Sequence, residues 1–240
     1  MTYNELFIDV KNYLQNDFPT NTWTSVTGAL PPITSTGTEQ INTFITQAEE
    51  RIYNTVQIPP LRKNVTGVTS LGNKYLSCPI DFMSVFSMAV IDGDGNYEYL
   101  LNKDVNFIRA AYPNPASTGL PQYYALFGPT VAAGNITDEL SFILGPTPDN
   151  LYNVELHYYA YPESITVAAD GRTWLGDNYS PVLLYGTLVE AYIFLKGEQD
   201  MMAAYEKKFM DAIAQLNRLG TGLERGDAYR DGQAKIKVNP

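Results

Sequence analysis

The chain has 240 residues, 45% of them hydrophobic, and carries 16 Lys and Arg against 26 Asp and Glu, a net charge of −10. This length supports a sizeable core in one domain or two small ones, while the acid excess excludes a surface built to grip a phosphate backbone. A single cysteine, Cys78, and a single histidine, His157, exclude an intramolecular disulfide framework and any multi-cysteine or multi-histidine metal site.

Thr2-Tyr3-Asn4-Glu5 has the spacing of a capping box, and Leu6, Val10, Tyr13 and Leu14 recur at helical spacing through about Phe18. Residues 20–37 are rich in Thr, Ser, Pro and Gly and read as a long loop anchored by Trp23. A second helix is expected from about Glu39 to Val56, capped by Thr38. Ile41, Phe44, Ile45, Ala48 and Ile52 form its apolar stripe, and Glu49, Glu50 and Arg51 fall on the solvated side. Pro59-Pro60 stops it.

The period then shortens. Residues 61–69, 74–77, 85–92, 97–101, 122–127, 139–144 and 153–161 read as strands, with a short helix over 102–112. Asp92-Gly93-Asp94-Gly95-Asn96 is a hairpin turn. It is not a calcium loop, because Tyr97 stands where that loop requires glycine. Val154, Leu156, Tyr158 and Ala160 alternate with Glu155, His157 and Tyr159, which sets His157 on the outward phase.

Ser180-Pro181 supplies a cap and a first-turn proline for a helix that Gly197 closes. A last helix follows from about Glu198, with Gly220 as its stop. Glu190 lies close to the apolar stripe of its helix and calls for a cationic partner, Arg51 or Arg62. Residues 221–240 have almost no apolar side chains and cannot offset their own ordering entropy. Extended, those twenty residues reach roughly 60–70 Å.

The expected class is α+β. N-terminal and C-terminal helix pairs form a bundle (1–60 with 167–220), with an inserted antiparallel β-rich module of sandwich or barrel type (61–166) and an extended tail (221–240). No dinucleotide fingerprint, P-loop, HExxH or GxSxG is present, so no catalytic, cofactor or metal residue is assigned and the chain reads as no enzyme. The first residues lack the charge and apolar run of a signal peptide, and no segment has the apolar length of a membrane span. The expected site of synthesis is therefore the cytoplasm.

Several segments together resemble the head-to-tail adaptor proteins of tailed bacteriophages, in particular the tubular adaptors beneath the portal of short-tailed phages. They are Gln47-Ala48-Glu49-Glu50-Arg51-Ile52-Tyr53, Leu61-Arg62-Lys63-Asn64, Tyr99-Leu100-Leu101-Asn102-Lys103-Asp104-Val105, Leu144-Gly145-Pro146-Thr147-Pro148, Trp174-Leu175, Leu184-Tyr185-Gly186, Glu190-Ala191-Tyr192 and Arg225-Gly226-Asp227-Ala228-Tyr229-Arg230. Residues 22–36 form an insertion relative to that pattern, and 129–138 are long. The resemblance implies a homo-oligomeric ring, of twelve subunits, in the virion neck between the portal protein and the tail nozzle or tube. DNA would pass through its lumen without sequence-specific contact, and the C-terminal segment would dock on the portal. On that reading Arg225, Asp227, Tyr229, Arg230, Lys235 and Lys237 are the partner-binding residues. Trp23, inside the insertion, is read from the sequence alone as an inter-subunit or loop anchor. The competing readings are another neck protein, such as a tail-completion or stopper protein, and a receptor- or glycan-binding virion module built on the tyrosine-rich strands.

Overall fold

A reciprocal cap opens the first helix. The Thr2 backbone N–H donates to the Glu5 carboxylate at 2.8 Å, and the Glu5 N–H donates back to the Thr2 hydroxyl at 3.3 Å. The computed structural model describes residues 1–23, 33–114, 116–128, 130–132, 135–138 and 140–224.

In chain order the elements are α1 (Tyr3–Leu14), β1 (Asn21–Trp23), β2 (Ile33–Ser35), α2 (Gly37–Thr55), a 3-10 turn (Pro59–Leu61), β3 (Arg62–Val68), β4 (Tyr75–Ser77), β5 (Phe82–Ile91), β6 (Tyr97–Tyr99), β7 (Leu101–Asn102) and α3 (Val105–Ala111). After these come β8 (Tyr123–Phe127), β9 (Thr130–Ala132), β10 (Asn135–Asp138), β11 (Ser141–Gly145), β12 (Asn153–Ala160), α4 (Trp174–Asn178), α5 (Ser180–Phe194) and α6 (Gln199–Glu224). The chain is α+β and divides into two compact units, Met1–Pro60 with Glu163–Pro240, and Leu61–Pro162.

In the first unit, α5 buries Val182, Leu183, Leu184, Leu188, Val189 and Ala191. These positions run around the helix rather than along one stripe, so α5 must be covered on every side. Helices α1, α2, α4 and α6 all pack on it. At Gly186 an added Cβ would lie 3.0 Å from the Phe209 ring and 3.2 Å from the Ala48 Cβ, so glycine permits the close approach of α2 and α6.

The caps differ from expectation in two places. The N-cap of α2 is Thr36, not Thr38, because Thr36 lies three residues before Glu39 and the two close a second capping box. The N-cap of α5 is Tyr179, which also ends α4, so Ser180 and Pro181 sit inside the first turn. The expected loop at 20–37 has strands at its described ends. There β1 and β2 form an antiparallel ribbon, with Trp23 opposite Ile33.

The second unit is a sandwich of two four-stranded sheets, β4-β11-β8-β7 and β3-β12-β5-β6. Val154, Leu156 and Tyr158 of β12, with Met88 and Val90 of β5, share one core with Phe142 and Leu144 of β11 and Tyr124 of β8. Helix α3 covers the other face of β11, burying Ile108 against Ala125 and Ile143. Burial on both faces explains the unbroken apolar run Phe142-Ile143-Leu144. Among the described residues the strands pair antiparallel except β7 and β8, which run parallel with Leu101 opposite Tyr123, and an isolated parallel bridge joins Thr118 to Thr147. Parallel neighbours need a crossover connection, and α3 supplies it.

Gly220 does not stop the last helix, and the first residues of the expected extended tail are helical, since α6 continues to Glu224. The physical reason is contact. A Cβ at Gly220 would lie 2.4 Å from the Ile58 Cγ2, and Ile58 is buried. The glycine lets α6 approach the segment leaving α2. Gly220→Ala should therefore destabilise the folded chain by about 1–3 kcal/mol through overpacking, although alanine is the better helix former by about 1 kcal/mol. Chemical denaturation measures the balance, and a stabilised variant would refute the contact.

Candidate functional site

The six tail residues nominated by sequence, Arg225, Asp227, Tyr229, Arg230, Lys235 and Lys237, lie outside the described residues. Trp23 is placed by its backbone in β1. The described residues add a set of charged and aromatic groups that hold the two units in shape.

The first is centred on Arg51. Its guanidinium Nη1 lies 3.5 Å from the Glu190 carboxylate of α5. It also donates to the Glu206 carboxylate of α6 through both Nη atoms. The guanidinium carbon stands 4.7 Å from the centre of the Phe209 ring. One side chain of α2 thus ties together both helices that flank it. Of the two partners expected for Glu190, Arg51 is the one found. Arg62 instead donates to the Tyr159 hydroxyl at 2.7 Å and stacks on Phe86.

Glu49 corrects the sequence reading. It was expected on the solvated side of α2 with Glu50, but it is 2% exposed. Residues 163–166, returning from β12, cover it, and its Oε1 accepts the Ile165 N–H at 3.0 Å. Its Oε2 has no hydrogen-bond partner among the described residues. Burial pushes this carboxyl above the usual glutamate range, against the lowering effect of the Ile165 N–H and the Ser164 hydroxyl. Burial, and then the Glu49 charge, push the nearby Tyr53 phenol up as well.

In the second unit, His157 is half-exposed on the outward phase, as its alternation predicts. Its Nδ1 meets the Ser87 hydroxyl at 3.1 Å, and its Nε2 meets Glu155 at 3.2 Å. Asn64 donates to the same carboxylate at 2.8 Å. Asp92 engages its own turn, accepting the Asp94 N–H at 2.9 Å and the Asn96 N–H at 2.8 Å, the geometry of a hairpin rather than a calcium loop. Among the described residues, no group of three or more His, Cys, Asp or Glu side chains converges as metal ligands, and no helix is long and apolar enough to cross a membrane.

These groups pair across helices and strands and fix the scaffold. A family model described as SU10 adaptor protein matches residues 1–234. The chain belongs to that family, whose members are bacteriophage adaptor proteins. No curated protein matches it.

Sequence reasoning missed Glu49 because nothing local marks it. Its cover arrives from a segment more than a hundred residues downstream. The sign of its pH effect is fixed by the direction of the shift. A carboxyl whose folded-state affinity for a proton exceeds its unfolded affinity favours folding at low pH, and that contribution is lost as pH rises through the raised value. Glu49→Gln removes the term. The stability of the variant minus that of the natural chain should therefore increase as pH rises above the usual glutamate range, then level off. Thermal unfolding across that range measures it, and a difference that stays flat with pH would rule out a strained buried carboxylate.

Proposed function

We propose that this chain is the head-to-tail adaptor of a short-tailed phage. In this reading twelve copies form a ring in the virion neck, extend the portal channel for DNA and give the tail nozzle its docking surface. The observation that carries the proposal is the extent of the family match, which runs from residue 1 to 234 and so spans both units and ten residues beyond Glu224.

Two physical features support the reading. The net charge of −10 suits a wall past which DNA must move without being held. The 225–240 segment is polar, with Ala228, Tyr229, Ala234, Ile236 and Val238 as its only apolar residues. A segment of that composition gains too little from self-burial to order alone, and a partner surface supplies the missing area. Arg225, Asp227, Tyr229, Arg230, Lys235 and Lys237 are the side chains assigned to the portal. Fully extended, the sixteen residues after Glu224 span about 53–58 Å, enough to leave the subunit.

A chain ending at Glu224 should fold with an unchanged melting profile and fail to bind isolated portal rings, while the full chain binds them and completes the neck. Co-sedimentation and electron microscopy of the mixture read both outcomes. Portal binding that survives the truncation would overturn the assignment of the tail. A full chain that never binds portal would overturn the adaptor reading itself.

A further inference from the structure

Much of the charge in the second unit is matched locally. Lys63 pairs with Asp81, Glu155 takes Asn64 and His157, Asp149 takes the Tyr152 hydroxyl, and Asp104 caps α3. Among the described residues, Asp94 and Glu98 have no side-chain partner, and both are exposed on the β5–β6 hairpin. Gly95, at φ +87°, closes the turn that places Asp94 at the tip. Opposite in sign, Lys74, Lys103 and Arg109 have no carboxylate partner among the described residues, and they lie over the rings of Tyr75, Phe107 and Phe127 respectively. Lys74 and Arg109 line the same cavity of about 210 Å³, whose wall also includes Ile108, Tyr112, Ile143 and Leu144 but no acidic side chain.

We infer that this cavity is a subunit-contact site: the β5–β6 hairpin of a second copy enters it and sets Asp94, supported by Glu98, between Lys74 and Arg109. The inference rests on the ring reading above. A cationic pocket in a chain of net charge −10 is complementary to the chain's own surface. The apolar wall lowers the local dielectric and strengthens the pairing over one made in water. When the hairpin of one copy engages one neighbour and its pocket receives the hairpin of another, the contact is heterologous, and heterologous contacts propagate head to tail until they close a ring. Two cations beside an apolar wall suit a carboxylate on a hairpin better than a nucleic acid backbone, which needs a track of cations.

The test is charge reversal with rescue. Lys74→Glu with Arg109→Glu, and separately Asp94→Lys with Glu98→Lys, should each leave a folded subunit by circular dichroism. Each should lower the ring population, with portal present, by about tenfold or more, read by native mass spectrometry. Combining all four substitutions in one chain restores opposite charges across the contact and should return the rings. Rings that persist in both reversed variants, or a fourfold variant that assembles no better than either, would overturn this contact and leave the ring reading standing. Loss of duplex DNA retention with assembly unchanged would also overturn it, by making the pocket a phosphate site. A natural chain that forms no rings even with portal would instead remove the ring reading, and this contact with it.

Discussion

The constraint on which the first unit depends is the all-round burial of α5. A helix with apolar residues on one face can rest on a single neighbour. A helix that buries Val182, Leu183, Leu184, Leu188, Val189 and Ala191 needs a complete jacket. Each of its buried Val and Leu side chains is worth about 1.5–3 kcal/mol when removed from water, as an upper estimate. None of that is available to α5 alone. The jacket comes from both sides of the inserted sandwich: α1 and α2 before it, α4 and α6 after it. The insertion is therefore tolerated only because its ends leave and return at the bundle, at Pro60 and Glu163. Gly186 and Gly220 serve the same jacket, each omitting a side chain where a neighbour comes within contact distance.

Charge then fixes how the jacket is assembled. Arg51 faces Glu190 and Glu206 on two different helices, so it favours one rotation of α2 against both. Exposed ion pairs are worth little singly, but this guanidinium also lies on Phe209, and the combined geometry is hard to satisfy in any other register. Glu49, two residues earlier, does the opposite. It places a carboxylate under the returning strap and gains one backbone hydrogen bond in exchange for losing water. Such a group contributes positional specificity rather than net stability. It ties the segment after β12 to α2, and so marks where the sandwich ends and the bundle resumes.

What was readable in the sequence was what local rules determine. The Thr2–Glu5 cap, the stripe of α2, the alternation in β12, the Asp92 turn and the need of Glu190 for a cationic partner are each set by spacing within one element or by one charge seeking another. What was not readable depends on distant chain. Glu49 and Glu50 are chemically equivalent neighbours, and only residues 163–166 distinguish them. Gly220 carries the signal of a helix stop, yet the same missing Cβ serves a close contact with Ile58. The parallel β7–β8 pair was hidden because α3 reads as a helix whether or not it is a crossover. Helix α4 was hidden because Tyr179 ends it and begins α5 with no residue between. Of the seven residues nominated from sequence and family resemblance for partner contact or loop anchoring, six lie beyond Glu224, outside the described residues.

Assembly and stability place different demands on such a chain. In the proposed ring, a net charge of −10 suits a wall past which DNA moves, and like-charged copies repel one another in a closed array. Non-specific apolar patches could offset that repulsion, at the risk of aggregation. Concentrating the few uncommitted cations is the alternative. In the sandwich, Lys63 pairs with Asp81, Arg62 with the aromatic pair Phe86 and Tyr159, and Lys103 lies over Phe107, while Lys74 and Arg109 share one pocket. In the inferred contact, Lys74 and Arg109 in one pocket and Asp94 and Glu98 on a hairpin separate the signs, so copies attract through that pair of patches while the net charge of −10 repels elsewhere.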